Sequence, residues 1–229
     1  TIIPTTWREI GAGVAGNITS IGLRYQLYAV NGPLGFDNEA KLNGEKPIRG
    51  ARQKGSQVTM TGIDVSGRLT YYGVRGLNLA LSGYWGKTES SLYHNLHDDS
   101  LSMKSRADSS SVGVRMISGD FRFQKKNFEA RGELILMNLS NTSQYNAFTN
   151  QDLGKTAYGY YAEVGYNIGK LIHAKNKVVP FFRYSNYDTH QQTSASLIAN
   201  PNYKNWAYTS GISWFINPNF VVKGDYQHF

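Results

Sequence analysis

The chain has 229 residues, 40% hydrophobic and 13% aromatic, with 24 glycines and a formal net charge of +8. Mean hydropathy is −0.43, and no apolar run approaches the roughly 18 residues that a membrane-crossing helix needs, which excludes a helical membrane protein. Cysteine is absent, so a disulfide scaffold and a thiolate metal site are excluded too.

From the N-terminus, period-two alternation predicts strands over 6–16 and 20–30, joined by Asn17-Ile18-Thr19. Residues 31–58 form the longest connection. A strand over 59–72 sets Ile63, Val65, Gly67, Leu69 and Tyr71 against Asp64, Ser66, Arg68 and Thr70. After a tight turn at 73–76, a strand over 77–87 repeats the pattern with Leu77, Leu79, Leu81 and Trp85 against Asn78, Ala80 and Ser82.

The next strand, over 110–124, is irregular. Val112, Val114 and Met116 share one parity while Ile117, Phe121 and Phe123 share the other, which predicts a β-bulge or a shifted start. Lys125-Lys126 then leads into 127–138, where Phe128, Ala130, Leu134 and Leu136 oppose Glu129, Arg131 and Glu133. Residues 156–168 alternate most cleanly, with Tyr158, Tyr160, Ala162, Val164 and Tyr166 on one face. Strands over 177–187, 204–216 and 219–228 complete a set of ten.

The connections sort by length. Those after odd-numbered strands are short; those after even-numbered strands, at 31–58, 88–109, 139–155 and 188–203, are long and polar. Short turns on one rim and long loops on the other belong to transmembrane barrels of the bacterial outer membrane. Residues 1–229 therefore read as one all-β region, an antiparallel transmembrane β-barrel with about ten strands of a larger, sixteen- to eighteen-stranded barrel. Apolar parity faces lipid and polar parity faces a watery lumen. Trp7, Trp85, Tyr158 and Trp206 are expected outward near the long-loop rim, and Tyr71, Phe123, Phe128, Tyr166, Trp214 and Phe220 near the short-turn rim, as two aromatic girdles. Ten strands put both ends at the long-loop rim, so missing strands are expected before residue 1 and after residue 229.

Several segments carry a family resemblance. Thr6-Trp7-Arg8-Glu9-Ile10-Gly11, Leu23-Arg24-Tyr25, Ile48-Arg49-Gly50, Ser66-Gly67-Arg68-Leu69-Thr70-Tyr71, Gly83-Tyr84-Trp85-Gly86 and the run from Asn217 to Gln227 resemble the bacterial phosphate-selective porin O and P family. The resemblance implies a sixteen-stranded, usually trimeric outer-membrane porin whose inward loop narrows the pore. It does not extend residue by residue to that family's phosphate-coordinating arginines.

The basic half of 31–58, with Lys46, Arg49, Arg52 and Lys54, is the candidate constriction, since a ring of cations raises the local anion concentration. By parity, Arg24, Arg68, Arg122, Arg131, Arg183 and Lys223 face the lumen, but so do Glu9, Asp64, Asp120, Glu129, Glu133, Glu163 and Asp225. These nearly cancel, so most are expected to pair. The expected partners are outer-membrane lipid and lipopolysaccharide, small anionic solutes and two further copies in a homotrimer. His94-x-x-His97-Asp98-Asp99 could in principle hold a metal but lacks the spacing of a helical zinc site, and no nucleophile turn, phosphate-cradling glycine loop or other cofactor motif is legible. The basic residues alternate with acids around the wall, so no nucleic-acid face forms. The rival reading is a non-channel outer-membrane barrel, a structural or interaction partner of a secretion or adhesion assembly.

Overall fold

The computed structural model describes residues 7–53, 58, 60–95, 101–194 and 197–229. In chain order these form β1 (Gly11–Ile18), β2 (Leu23–Val30), β3 (Leu34–Asp37), β4 (Glu39–Ala40), β5 (Asp64–Tyr71), β6 (Leu77–Lys87), β7 (Glu89–Ser90) and α1 (Leu101–Ser109). There follow β8 (Gly113–Lys125), β9 (Phe128–Ser140), α2 (Thr142–Thr149), β10 (Thr156–Tyr166), β11 (Val178–Gln192), β12 (Lys204–Asn217) and β13 (Phe220–His228). Ten strands form one antiparallel sheet ordered β1-β2-β5-β6-β8-β9-β10-β11-β12-β13, while β4, β3 and β7 form a small separate sheet within the long connections. The large sheet is open, with β1 and β13 as its edges.

Each of the ten strands lies where alternation predicts one. Consecutive strands of the ten pair as neighbours across short turns and long connections alike, and one short turn shows why its sequence is needed. Gly76 has φ +84°, and its carbonyl accepts Gln124 N–H at 2.7 Å. A side chain there would meet both a left-handed backbone and the Gln124 carbonyl.

The sheet has two unlike faces. One is bare and apolar: Tyr160, Leu79 and Val164 are 39%, 43% and 45% exposed. The other carries the charged parity and is covered over part of its height by residues 31–53. Leu42, Ile48 and Ala51 of that connection are buried in one cluster with Val112, Val114, Met116, Ile135, Met137 and Leu139. Burying Leu42 and Ile48 contributes about 1.5–3 kcal/mol each.

This covering explains the irregular strand. The ladders of β8 to β6 and to β9 run without a register shift, so no bulge exists. Its covered face changes character along the strand: Val114 and Met116 are buried under the loop, and Ser118, Asp120 and Arg122 continue the same parity beyond it. β9 does likewise, with Glu129, Arg131 and Glu133 followed by Ile135, Met137 and Leu139.

Two further expectations change. The long connections hold α1 and α2, whose sequences lack a legible helical stripe because each helix is short and packs on few neighbours. Trp7 does not face outward. β1 starts only at Gly11, so Trp7 lies off the ladder, packs its ring 5.2 Å from that of Tyr84, and donates its indole N–H to Glu9 at 2.9 Å. Burying the ring while satisfying its N–H is better than exposing both.

Candidate functional site

The covered face is the candidate site, built in two tiers. The upper tier is the covering connection, residues 31–53, and its anchors. The Tyr145 hydroxyl on α2 donates to Gly35 O at 2.7 Å and accepts Leu42 N–H at 3.2 Å. Asp152 accepts Gly44 N–H at 2.8 Å and the Tyr203 hydroxyl at 2.7 Å, and Thr189 donates to Gly44 O at 2.6 Å. The His190 ring lies between Asp152 O, 2.6 Å from Nε2, and Asn200 N–H, which donates to Nδ1 at 3.1 Å. One connection is thus tied to two others, at sequence separations no local signal reveals.

The predicted constriction residues lie on this tier, away from its dry underside. Lys46 pairs with its neighbour Glu45 at 2.8 Å. Arg49 and Arg52 are exposed, and Arg52 Nε donates to Arg49 O at 3.1 Å. Lys54 lies outside the described residues.

The lower tier is a row of charges across the strands toward the short turns. The ladders place Arg122 opposite Arg131, Arg131 opposite Glu163, and Glu163 opposite Arg183. Both Arg131 and Arg183 reach Glu163 at 2.6 Å, which leaves that carboxylate 12% exposed beneath two guanidinium groups. Above them Arg68 pairs with Asp120 at 2.8 Å, while Arg24 donates to Asn17 at 3.0 Å. Below, Lys177 reaches Glu129 at 3.2 Å and Lys223 reaches Asp225 at 3.8 Å.

Pairing does not neutralise the row. Arg131 and Arg183 share one glutamate, and Arg122 lies directly opposite Arg131, where like charges across strands repel. A cavity of about 290 Å³ at this level is lined by Arg122, Arg131, Lys177 and Lys223 against Glu129 and Glu163, a surplus of two positive charges. Lys177, on the same parity as Arg183 at the start of the predicted strand over 177–187, is not among the expected lumen-facing residues; its ion pair with Glu129 and its contact with the Phe215 ring, 4.8 Å away, place it on this face.

A buried acidic group anchors the other end of the covered face. The Tyr84 hydroxyl is 2.6 Å from Asp64 Oδ2 and 3.0 Å from Glu9 Oε1, so its single proton serves one carboxyl at a time. Burial pushes the Glu9 carboxyl up to about 7, the nearby Asp64 charge adds to this, and the Tyr84 and Trp7 donors oppose it. Glu89, fully buried, accepts Thr61 N–H at 2.7 Å and the Thr61 hydroxyl, closing the far end of the long connection.

No protein-family profile matches the chain. An uncharacterized protein of Aquifex aeolicus (strain VF5) is 26% identical over 235 residues, covering 98% of this chain and 49% of its own length. The chain thus spans about half of that relative.

Proposed function

We propose that the chain forms part of the wall of a bacterial outer-membrane porin, a closed barrel through which small solutes, anions by preference, diffuse. One observation carries this reading: a ten-stranded sheet leaves its apolar face bare while its charged face is the one covered by the chain's own loop. A sheet in water buries its apolar parity; a sheet in lipid exposes it. The remainder of a longer chain, pairing with the free edges of β1 and β13, would close the barrel. Exposed edges in hydrocarbon leave backbone groups unsatisfied, so closure is what the membrane demands.

The charge surplus beside Arg122 and Arg131 supports anion preference, and Arg49 and Arg52 on the inward loop add to it. Phosphate as the preferred anion rests on the sequence resemblance alone. A trimer is proposed on the same ground.

Full-length protein in planar bilayers tests the reading. Stepwise conductance with an anion-to-cation permeability ratio above one supports it, and replacement of Arg49 and Arg52 by Glu should lower that ratio. A silent protein would instead favour the plugged scaffold of a secretion or adhesion assembly, a reading supported by the dry packing beneath the inward loop.

A further inference from the structure

The bare face is not uniformly smooth. Gly67 and Gly83 are adjacent across β5 and β6, and a Cβ at either would meet nothing nearer than 3.6 Å. Two missing side chains side by side leave a dent, walled by Leu27, Leu69, Leu81, Ile117 and Leu136, within a groove of about 970 Å³. That is near the top of the roughly 300–1,000 Å³ range of ligand pockets.

The long-loop end of the groove is polar. Arg115 of β8 lies there between Trp85 and Asn138 on the ladder, its guanidinium 4.7 Å from the Trp85 ring centroid. The outward lysines Lys87, Lys125 and Lys204 end their strands, and Arg115 lies two residues inside the start of β8. A cation at the level of the aromatic rim snorkels to the headgroups, where phosphates are the anions at hand. Among the outward positions of the ten strands the acidic residue is Asp188, on β11, and it already accepts His190 N–H at 2.8 Å. Thr156, beside Asn138 on the ladder and lining the same groove, has a buried hydroxyl without a hydrogen-bond partner.

From this geometry we infer a lipid site on the outer wall. It takes a phosphorylated glycolipid of the outer leaflet, with an acyl chain along the Gly67–Gly83 dent and a headgroup phosphate on Arg115. A second copy of this chain fits less well, because the outward positions of the ten strands offer a single carboxylate, Asp188, to meet Arg115. The inference rests on the outer-membrane reading and names the lipid contact within it.

The test uses purified full-length protein in detergent, with native mass spectrometry against bisphosphorylated lipid A, its dephosphorylated form and phosphatidylcholine. The site predicts preference for the phosphorylated form. Arg115→Gln should weaken it about tenfold, the loss of one charge-assisted contact, with Arg115→Lys retaining most of it. Gly83→Leu, for which there is room, should weaken all three lipids by filling the dent. Equal binding of the three, unaffected by Arg115→Gln, overturns the site. So does a Gly83→Leu variant that keeps its lipid but loses its oligomeric state, which would make the groove a protein interface. Bilayer conductance of the same preparations keeps the two readings apart: conductance without lipid preference leaves the pore and removes the site, and the converse removes the pore and leaves the site.

Discussion

The Tyr145 hydroxyl holds Gly35, 110 residues away, by a 2.7 Å hydrogen bond that fixes the inward connection to α2. The same oxygen accepts Leu42 N–H, so Tyr145→Phe strands that buried donor, while Gly35 O keeps the Lys41 N–H at 3.0 Å. The unsatisfied N–H costs about 1–3 kcal/mol. Burial pushes this hydroxyl up to about 12, so the contact persists across the ordinary pH range. The expected outcome is a lower unfolding temperature together with noisier single-channel current, because the loop is freed while the sheet stays intact.

Glu163 under Arg131 and Arg183 sets the opposite kind of prediction. Glu163→Gln frees two cations on the charged face and should raise the anion-to-cation permeability ratio, read from the reversal potential in a salt gradient. Arg122→Gln should lower it. A unit charge roughly 8 Å from a passing ion in water contributes about 0.5 kcal/mol, so each change is expected to be about twofold.

Asp152 links acid sensitivity to the latch. Burial raises its carboxyl, but the Tyr203 and Gly44 donors and the His190 charge outweigh this and hold it below the ordinary value of 3.8. A depressed carboxyl contributes stability above the ordinary value and loses it as pH falls through the folded one. Asp152→Asn should cost about 1 kcal/mol at neutral pH after solvent screening and flatten the acid limb of a pH-dependent melting series.

Glu9 has the reverse sign. Its carboxyl is raised from 4.5 to about 7, so its contribution is full below 4.5 and is lost as pH rises through 7. The readout is hydrogen exchange at Ile10, whose N–H donates to Asn31 Oδ1 at 2.6 Å at the entry to the inward connection. The protection factor at Ile10, measured relative to the intrinsic exchange rate at each pH, should fall between pH 4.5 and 7, and Glu9→Gln should remove that fall.

The ten strands and their parity were legible in the sequence because both signals are local. Alternation has a period of two residues, and the turns are marked by Gly, Asn and paired lysines within a few positions. Thus Tyr158 to Tyr166 announced the bare face of β10, and Arg131, Glu163 and Arg183 announced their charged one. What parity alone could not reveal was the apolar upper half of that charged face. Val114, Met116, Ile135 and Met137 look misplaced until residues 31–53 cover them, and that contact joins positions more than sixty residues apart. Register decided the rest: Arg122 and Arg131 each read as one more wall cation in the sequence, and only strand pairing set them opposite each other, with Glu163 held between Arg131 and Arg183. Chain-local chemistry thus determined the strands and their faces, while tertiary pairing, which no local period encodes, decided where the loop lies and where charge accumulates.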